Sequence, residues 1–108
     1  ETIFAERVDG KLVLRRGFKV KQNSNVLIVE DVITTGRSAL ECSNIVKMSK
    51  ANIVGYVCII DRSNEKNSIK DQIISQMQFN IETFSKDKIP EDLRKISPIK
   101  PGSSNLSK

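Results

Sequence analysis

The sequence predicts an α/β fold, a mainly parallel sheet flanked by helices. Three observations carry this. The apolar runs "VLIV" (26–29) and "IVGYVCII" (53–60) read as strands buried on both faces. Between them, a stretch from about Arg37 to Ser49 has helical spacing. Its Ala39, Cys42, Val46 and Met48 fall largely on one face, with Leu40 and Ile45 flanking it. Strand, helix and strand at this spacing predict a βαβ unit with a right-handed crossover.

The other elements follow in chain order. Thr2 to Ala5 is short and apolar and predicts a strand. "ERVDG" (6–10) ends in Asp-Gly, a turn signal, and "KLVLRRGF" (11–18) alternates as the return arm of a hairpin. Residues 19–25 form a polar connection. Thr35 or the Gly36 region can supply the helix N-cap. After Asp61 the chain turns polar, and Ser68 to Met77 fits either a short helix or an irregular strand. "FNIETF" (79–84) alternates and predicts a strand. Pro90 to Ile96 suits a short helix with proline in its first turn. The stretch 98–108, "PIKPGSSNLSK", reads as a flexible tail. No internal repeat is visible.

Composition narrows the class. The chain has 108 residues, 38% hydrophobic and 29% charged, which suits one small globular domain. No apolar run approaches the roughly 18 residues that a membrane span needs, and Glu1 to Gly10 lacks the pattern of a signal peptide. The chain opens without Met on an expected strand, which reads as a fragment lacking an N-terminal part. The net charge is +5, from 18 Lys+Arg against 13 Asp+Glu. The basic residues form no long block, and the aromatics are four Phe and one Tyr. A nucleic-acid stacking surface is therefore disfavoured, and a lysine-coated surface is the simpler account of the charge. With no His and no CxxC spacing, Cys42 and Cys58 do not suggest a zinc site. Both sit in apolar segments and read as buried thiols of a reducing cytosol.

The stretch that carries chemistry is "VLIVEDVITTGRSA" (26–39). Ligands of a parallel α/β sheet sit beyond the carboxyl ends of its strands, where "EDVITTGRS" is expected. Thr34 to Ser38 lead into a helix N-terminus, whose free amides and positive dipole end attract phosphate. The hydroxyls of Thr34, Thr35 and Ser38 add donors, and Gly36 lets the backbone approach closely. The GxxxxGK[ST] spacing of a Walker loop is absent. Glu30 and Asp31 need a different partner, because carboxylates repel phosphate. A diol, or a nearby bound cation, suits them. A ribose 5-phosphate satisfies both halves. The plainer alternative, Asp31 capping a turn and threonines satisfying backbone, accounts for less of the run.

This stretch resembles the phosphoribosyl diphosphate (PRPP) motif of type I phosphoribosyltransferases. "FAERVDGKLVLRRGF" (4–18), "IIDRS" (59–63) and "KPGS" (100–103) resemble orotate phosphoribosyltransferase more narrowly. The resemblance covers almost the whole chain. It implies a type I phosphoribosyltransferase fold with a β-hairpin lid, present as the C-terminal portion of a single domain. Residues 1–97 would be that partial domain, with 1–18 the lid and 26–60 the βαβ core.

The family's reaction joins orotate and PRPP into orotidine 5′-monophosphate and diphosphate, with Mg²⁺ accompanying PRPP, in pyrimidine (UMP) synthesis. Carried over, the PRPP site is Glu30, Asp31, Val32, Ile33, Thr34, Thr35, Gly36, Arg37 and Ser38. Glu30 and Asp31 hold the ribose hydroxyls, with the Mg²⁺ carried by PRPP near them and no metal bound directly by protein. Thr34 and Arg62 contact orotate, since a planar cation suits a carboxylated pyrimidine. Lys11 and Arg7 of the lid approach the diphosphate as catalytic cations. The family also implies a cytoplasmic homodimer whose lid reaches the partner subunit; Arg15 and Arg16 would be surface or dimer-contact residues. No membrane is implied.

Departures matter. Family members run to roughly twice this length, and many carry a Cys-Pro-Leu-Cys segment where this chain reads "KIPEDLRKISPIKPGS". The isolated 108 residues are expected to be inactive. Two rivals stand beside the orotate enzyme: a PRPP-sensing or RNA-binding regulator of the same superfamily, and a purine or uracil phosphoribosyltransferase.

Overall fold

The computed structural model describes residues 1–63 and 67–99. Strands β1 (Ala5–Val8) and β2 (Lys11–Leu14) form an antiparallel hairpin. Its two turn residues, Asp9 and Gly10, both have positive φ, at 48° and 80°. That is the primed turn whose twist matches the paired strands, and Asp-Gly is suited to it. The expected strand at Thr2–Ala5 is thus displaced. The tight turn fixes the register at Ala5↔Leu14, so residues before Ala5 have no partner strand. Phe4 instead packs edge-on against Phe18, with ring centroids 5.1 Å apart.

The second sheet is parallel, in the order β3 (Asn25–Ile33), β4 (Asn52–Asp61), β5 (Ile73–Gln78). Helix α1 (Arg37–Met48) joins β3 to β4, as the spacing predicts. The core is Ile28, Ile33, Ala39, Tyr56, Cys58 and Ile69, gathered between α1 and one sheet face. Ser43 is fully buried there. Its Oγ donates to the Ala39 carbonyl at 2.8 Å and lies 2.7 Å from the Tyr56 hydroxyl, so each polar atom in this apolar layer is satisfied.

Three expectations are corrected. β3 runs on through Glu30 and Asp31 to Ile33, so the acids lie within the strand and not beyond its end. The "VLIV" and "IVGYVCII" runs are each covered on one face only, with Leu27, Val29, Val54 and Ile59 exposed, because α1 packs on the opposite side. "FNIETF" is not a strand. β4 has ended at Asp61, so after the Phe79 N–H donates to the Asp61 carbonyl at 2.9 Å no ladder remains to extend. The ambiguous stretch before it resolves as β5. Pro90 is the N-cap of the short helix α2 (Glu91–Arg94). Most of the expected tail, from residue 100, lies outside the described residues.

Candidate active site

Helix α1 starts abruptly because Gly36 turns the chain. Gly36 is its N-cap with φ 75°, and among the described residues no side chain caps the helix. The Thr35 Oγ1 accepts the Arg37 N–H at 3.4 Å, while the first intrahelical bond is Leu40 N–H to the Gly36 carbonyl. The remaining first-turn amides are free to receive an anion. A second segment fixes this turn from outside. The Ser68 N–H donates to the Thr35 carbonyl at 3.2 Å, and buried Ile69 closes over Gly36. Asn67 holds that segment through Ser63 Oγ and the Ile69 N–H.

The carboxyl ends of the three parallel strands enclose a cavity of about 600 Å³. Thr34 and Thr35 reach it from β3, Arg62 and Ser63 from β4, and residues 80–84 from β5. The β3–β4 ladder continues into it, since the Arg62 N–H donates to the Ile33 carbonyl at 2.8 Å. Asp61 accepts the Ser63 N–H at 2.8 Å and sets the turn after β4. Among the described residues the buried Arg62 Nε has no hydrogen-bond partner. A guanidinium N–H so placed is a donor waiting for an acceptor.

The sequence-predicted residues divide between this cavity and a second one. Thr34, Thr35 and Arg62 share the first. Glu30, Ser38 and Arg7 line a cleft of about 740 Å³ between β3, α1 and the hairpin. Consecutive strand residues leave on opposite faces, so Glu30 turns toward α1 while Asp31 is exposed. Asp31 Oδ1 accepts the Val32 N–H at 2.7 Å. Ile33 is buried in the core and Gly36 in the turn, so these two offer backbone only. Val32 and Arg37 are exposed, and the Arg37 Nε donates to Glu41 at 3.2 Å.

In the hairpin, Arg7 donates to the Gly10 carbonyl at 2.6 Å and pairs with Glu41 of α1 at 3.0 Å. Lys11 is exposed at the turn. Arg15 and Arg16 both pair with Glu6. Arg7 and Arg37 hold the Glu41 carboxyl below its ordinary value against the opposing effect of desolvation.

Burial, then the charge of Asp31, raises the Glu30 carboxyl above its ordinary value. Between the two values the folded state binds more protons than the unfolded chain, so this group's contribution to stability falls as pH rises. It is most favourable below the ordinary value and lost above the raised one. Glu30→Gln is therefore expected to raise the melting temperature at neutral pH and to leave it nearly unchanged at acid pH. Thermal melts of both proteins across this range check it; a variant less stable at neutral pH contradicts it. Cys42 and Cys58 are free thiols raised by burial and nearby carboxylates, Glu30 for Cys42 and Asp61 for Cys58, which makes them poor nucleophiles.

Sequence reasoning missed residues 67–69 and 80–84. Ile69, an isolated apolar residue in a polar run, was the available signal for the first. The second has none, because its alternation reads as a strand.

A glycine-capped helix opening at the carboxyl edge of a parallel sheet defines a class of protein. The fold is that of the phosphoribosyltransferases, in part. Hypoxanthine phosphoribosyltransferase from Staphylococcus aureus matches with TM-score 0.51 and 21% identity, over 68% of this chain and 40% of its own. Adenine phosphoribosyltransferase from Leishmania tarentolae matches with TM-score 0.50 and 24% identity, over 62% and 36%. Sequence narrows the class: the chain is similar to orotate phosphoribosyltransferases over about half of their length. It is 46% identical over 105 residues to that of Caldicellulosiruptor saccharolyticus, covering 97% of this chain and 55% of the relative. For Thermoanaerobacter sp. the values are 42% over 103 residues, 95% and 54%; for Methylorubrum populi they are 41% over 109 residues, 100% and 56%. The chain spans about half the length of the curated relatives it matches. No family model matches it.

Proposed function

We propose that the protein containing this chain transfers the ribose 5-phosphate group of PRPP to orotate, in the synthesis of pyrimidine nucleotides. The bond from C1′ to the diphosphate oxygen breaks, a bond from C1′ to the base N1 forms, and N1 gives up its proton. The observation that carries this reading is the cavity where Thr34, Thr35 and Arg62 converge, the Arg62 Nε having no partner among the described residues. A phosphate bound at the α1 turn and a carboxylated base bound at Arg62 would be neighbours there. Such a transfer gains most from orientation and charge stabilisation. The names of the relatives support orotate as the base.

On this reading Glu30 and Asp31 serve the ribose hydroxyls, and Arg7 and Lys11 approach the diphosphate once the hairpin moves. Arg7 would then exchange Glu41 for the substrate. Mg²⁺ fits as an ion brought by PRPP. The carboxylate oxygens of Glu30 and Asp31 suit it. Among the described residues no helix is long and apolar enough to cross a membrane. We read residues 1–97 as part of one domain, in a cytoplasmic homodimer.

The test is the full-length protein with PRPP, Mg²⁺ and orotate, followed by loss of orotate absorbance. Turnover of a purine or uracil with none of orotate overturns the reading, and binding of PRPP without turnover of any base favours a regulator. Asp31→Asn is expected to weaken PRPP binding about tenfold, the effect of losing one charged acceptor, with the melting temperature unchanged. Equal PRPP affinity in the two proteins would remove Asp31 from the diol.

A further inference from the structure

Among the described residues the hairpin pairs with no strand of the parallel sheet. Side-chain contacts must therefore hold this ribbon against the rest of the chain. Among the described residues one ion pair crosses from it, Arg7 Nη1 to Glu41 Oε2 of α1 at 3.0 Å. The others stay within their own segments: Arg15 and Arg16 with Glu6, and Arg37 with Glu41.

Both partners of the crossing pair are aimed before they meet. Arg37 Nε donates to Glu41 Oε1 at 3.2 Å, which leaves Oε2 for Arg7. Arg7 Nη1 also donates to the Gly10 carbonyl at 2.6 Å, inside the hairpin's own turn. Such support reduces the side-chain entropy loss that weakens most surface pairs. The pair is still open to competition, with side-chain exposures of 42% for Arg7 and 26% for Glu41. Arg7 lines the same cleft as Glu30 and Ser38. A phosphate group entering that cleft accepts charge-assisted hydrogen bonds from a guanidinium, as Glu41 does. Gly10 and Glu41 together engage Arg7 Nη1, so this nitrogen reaches a ligand only by giving one of them up.

We propose that Glu41 is the latch of the hairpin: it holds Arg7 against α1 in the free protein, and an anionic ligand must displace it to take that guanidinium. This rests on the PRPP reading above, in which Arg7 goes to the diphosphate, and adds the residue that sets where the hairpin rests. Neutralising Glu41 then frees the hairpin and also tightens ligand binding, because nothing else competes for Arg7. A carboxylate that only supported the fold would act in the opposite direction, its loss weakening the site.

The experiment compares four full-length proteins: wild type, Glu41→Gln, Arg7→Gln and the double variant. Limited trypsin digestion without ligand reads the hairpin, where Lys11, Arg15 and Arg16 offer cleavage sites in every variant. Calorimetric titration with PRPP and Mg²⁺, without base, reads the competition. Glu41→Gln is expected to be cut faster than wild type. Added salt should speed cleavage of wild type toward that of the variant, since salt screens an exposed pair. PRPP should bind Glu41→Gln about two- to fivefold more tightly, the range of a partly exposed ion pair. In the Arg7→Gln background the same change should alter neither readout. A gain in affinity of equal size in that background is simple charge repulsion and overturns the latch. Unchanged cleavage, or weaker PRPP binding in Glu41→Gln, overturns it too and leaves the orotate reading intact. Absence of PRPP binding in wild type overturns that reading, and the inference with it.

Discussion

Gly36→Val is expected to be the most damaging single substitution in the described chain, lowering stability and, on the orotate reading, abolishing PRPP binding in the full-length protein. Two costs add. Gly36 has φ +75°, a conformation that costs an L-residue about 1–2 kcal/mol. Its position is also closed, since an added Cβ would stand 3.0 Å from Ile69 Cγ1, 3.1 Å from Ile69 Cδ1 and 3.6 Å from Asn67 Cβ. Overpacking of this kind costs about 1–3 kcal/mol, and a β-branched side chain has the least freedom to avoid it. The site lies at the first amides of α1, so relaxation of the turn moves the same groups that would hold the phosphate. Each kcal/mol lost shifts the melting temperature of a domain as long as the relatives by about 2–4 °C, which thermal unfolding of the full-length protein reads directly. Two further variants separate the causes. Asn tolerates the left-handed conformation better than Ala, so Gly36→Asn milder than Gly36→Ala makes the backbone the larger cost. If Ile69→Val instead rescues Gly36→Ala, the contact is the larger cost, and the coupling appears as non-additivity. A Gly36→Val protein that melts within a degree or two of wild type would contradict the whole account of the turn.

The same turn shows what was legible in the sequence. The helix, the flanking strands and the hairpin turn were readable because each rests on local chemistry. Apolar spacing marks α1, β-branched runs mark β3 and β4, and Asp-Gly marks a turn whose two positive φ values few other pairs accept. The extent of β3 was not readable. "EDVI" looks polar enough to end a strand, yet β4 runs beside it to Asp61 and keeps its backbone paired. The clamp on Gly36 was invisible for a related reason. Ser68 and Ile69 are far along the chain, and only the return of the segment after β4 brings them to Thr35. Alternation in residues 79–84 gave a strand signal, but a strand needs a neighbour, and β4 had already ended. Within the site, residue types pointed to chemistry. They did not show that Glu30 and Asp31 leave the strand on opposite faces, or that Thr34 and Arg62 share a cavity from which Glu30 is absent.

Arg62→Met is expected to separate stability from function in the full-length protein. Among the described residues the buried Arg62 Nε has no acceptor, and a desolvated donor of that kind costs the fold and returns nothing to it. Methionine keeps an unbranched apolar stem and removes the unsatisfied group, so the variant should melt at or above the wild-type temperature. On the orotate reading the bound base repays this cost by giving the guanidinium its acceptors, and truncating one partner of such a buried charged pair costs about 2–5 kcal/mol. That corresponds to a fall of about thirtyfold to several thousandfold in kcat/KM for orotate. PRPP affinity, measured without base, should change little, because the phosphate is expected at the amides of α1 and not at Arg62. Arg62→Lys is not expected to rescue, since an ammonium cannot present two parallel N–H groups to a carboxylate. The two readouts must move independently. A variant that loses stability in proportion to activity would make Arg62 a structural residue, and equal losses toward PRPP and orotate would place the base elsewhere. Higher stability with orotate use lost is the pattern of a residue held under strain for its ligand.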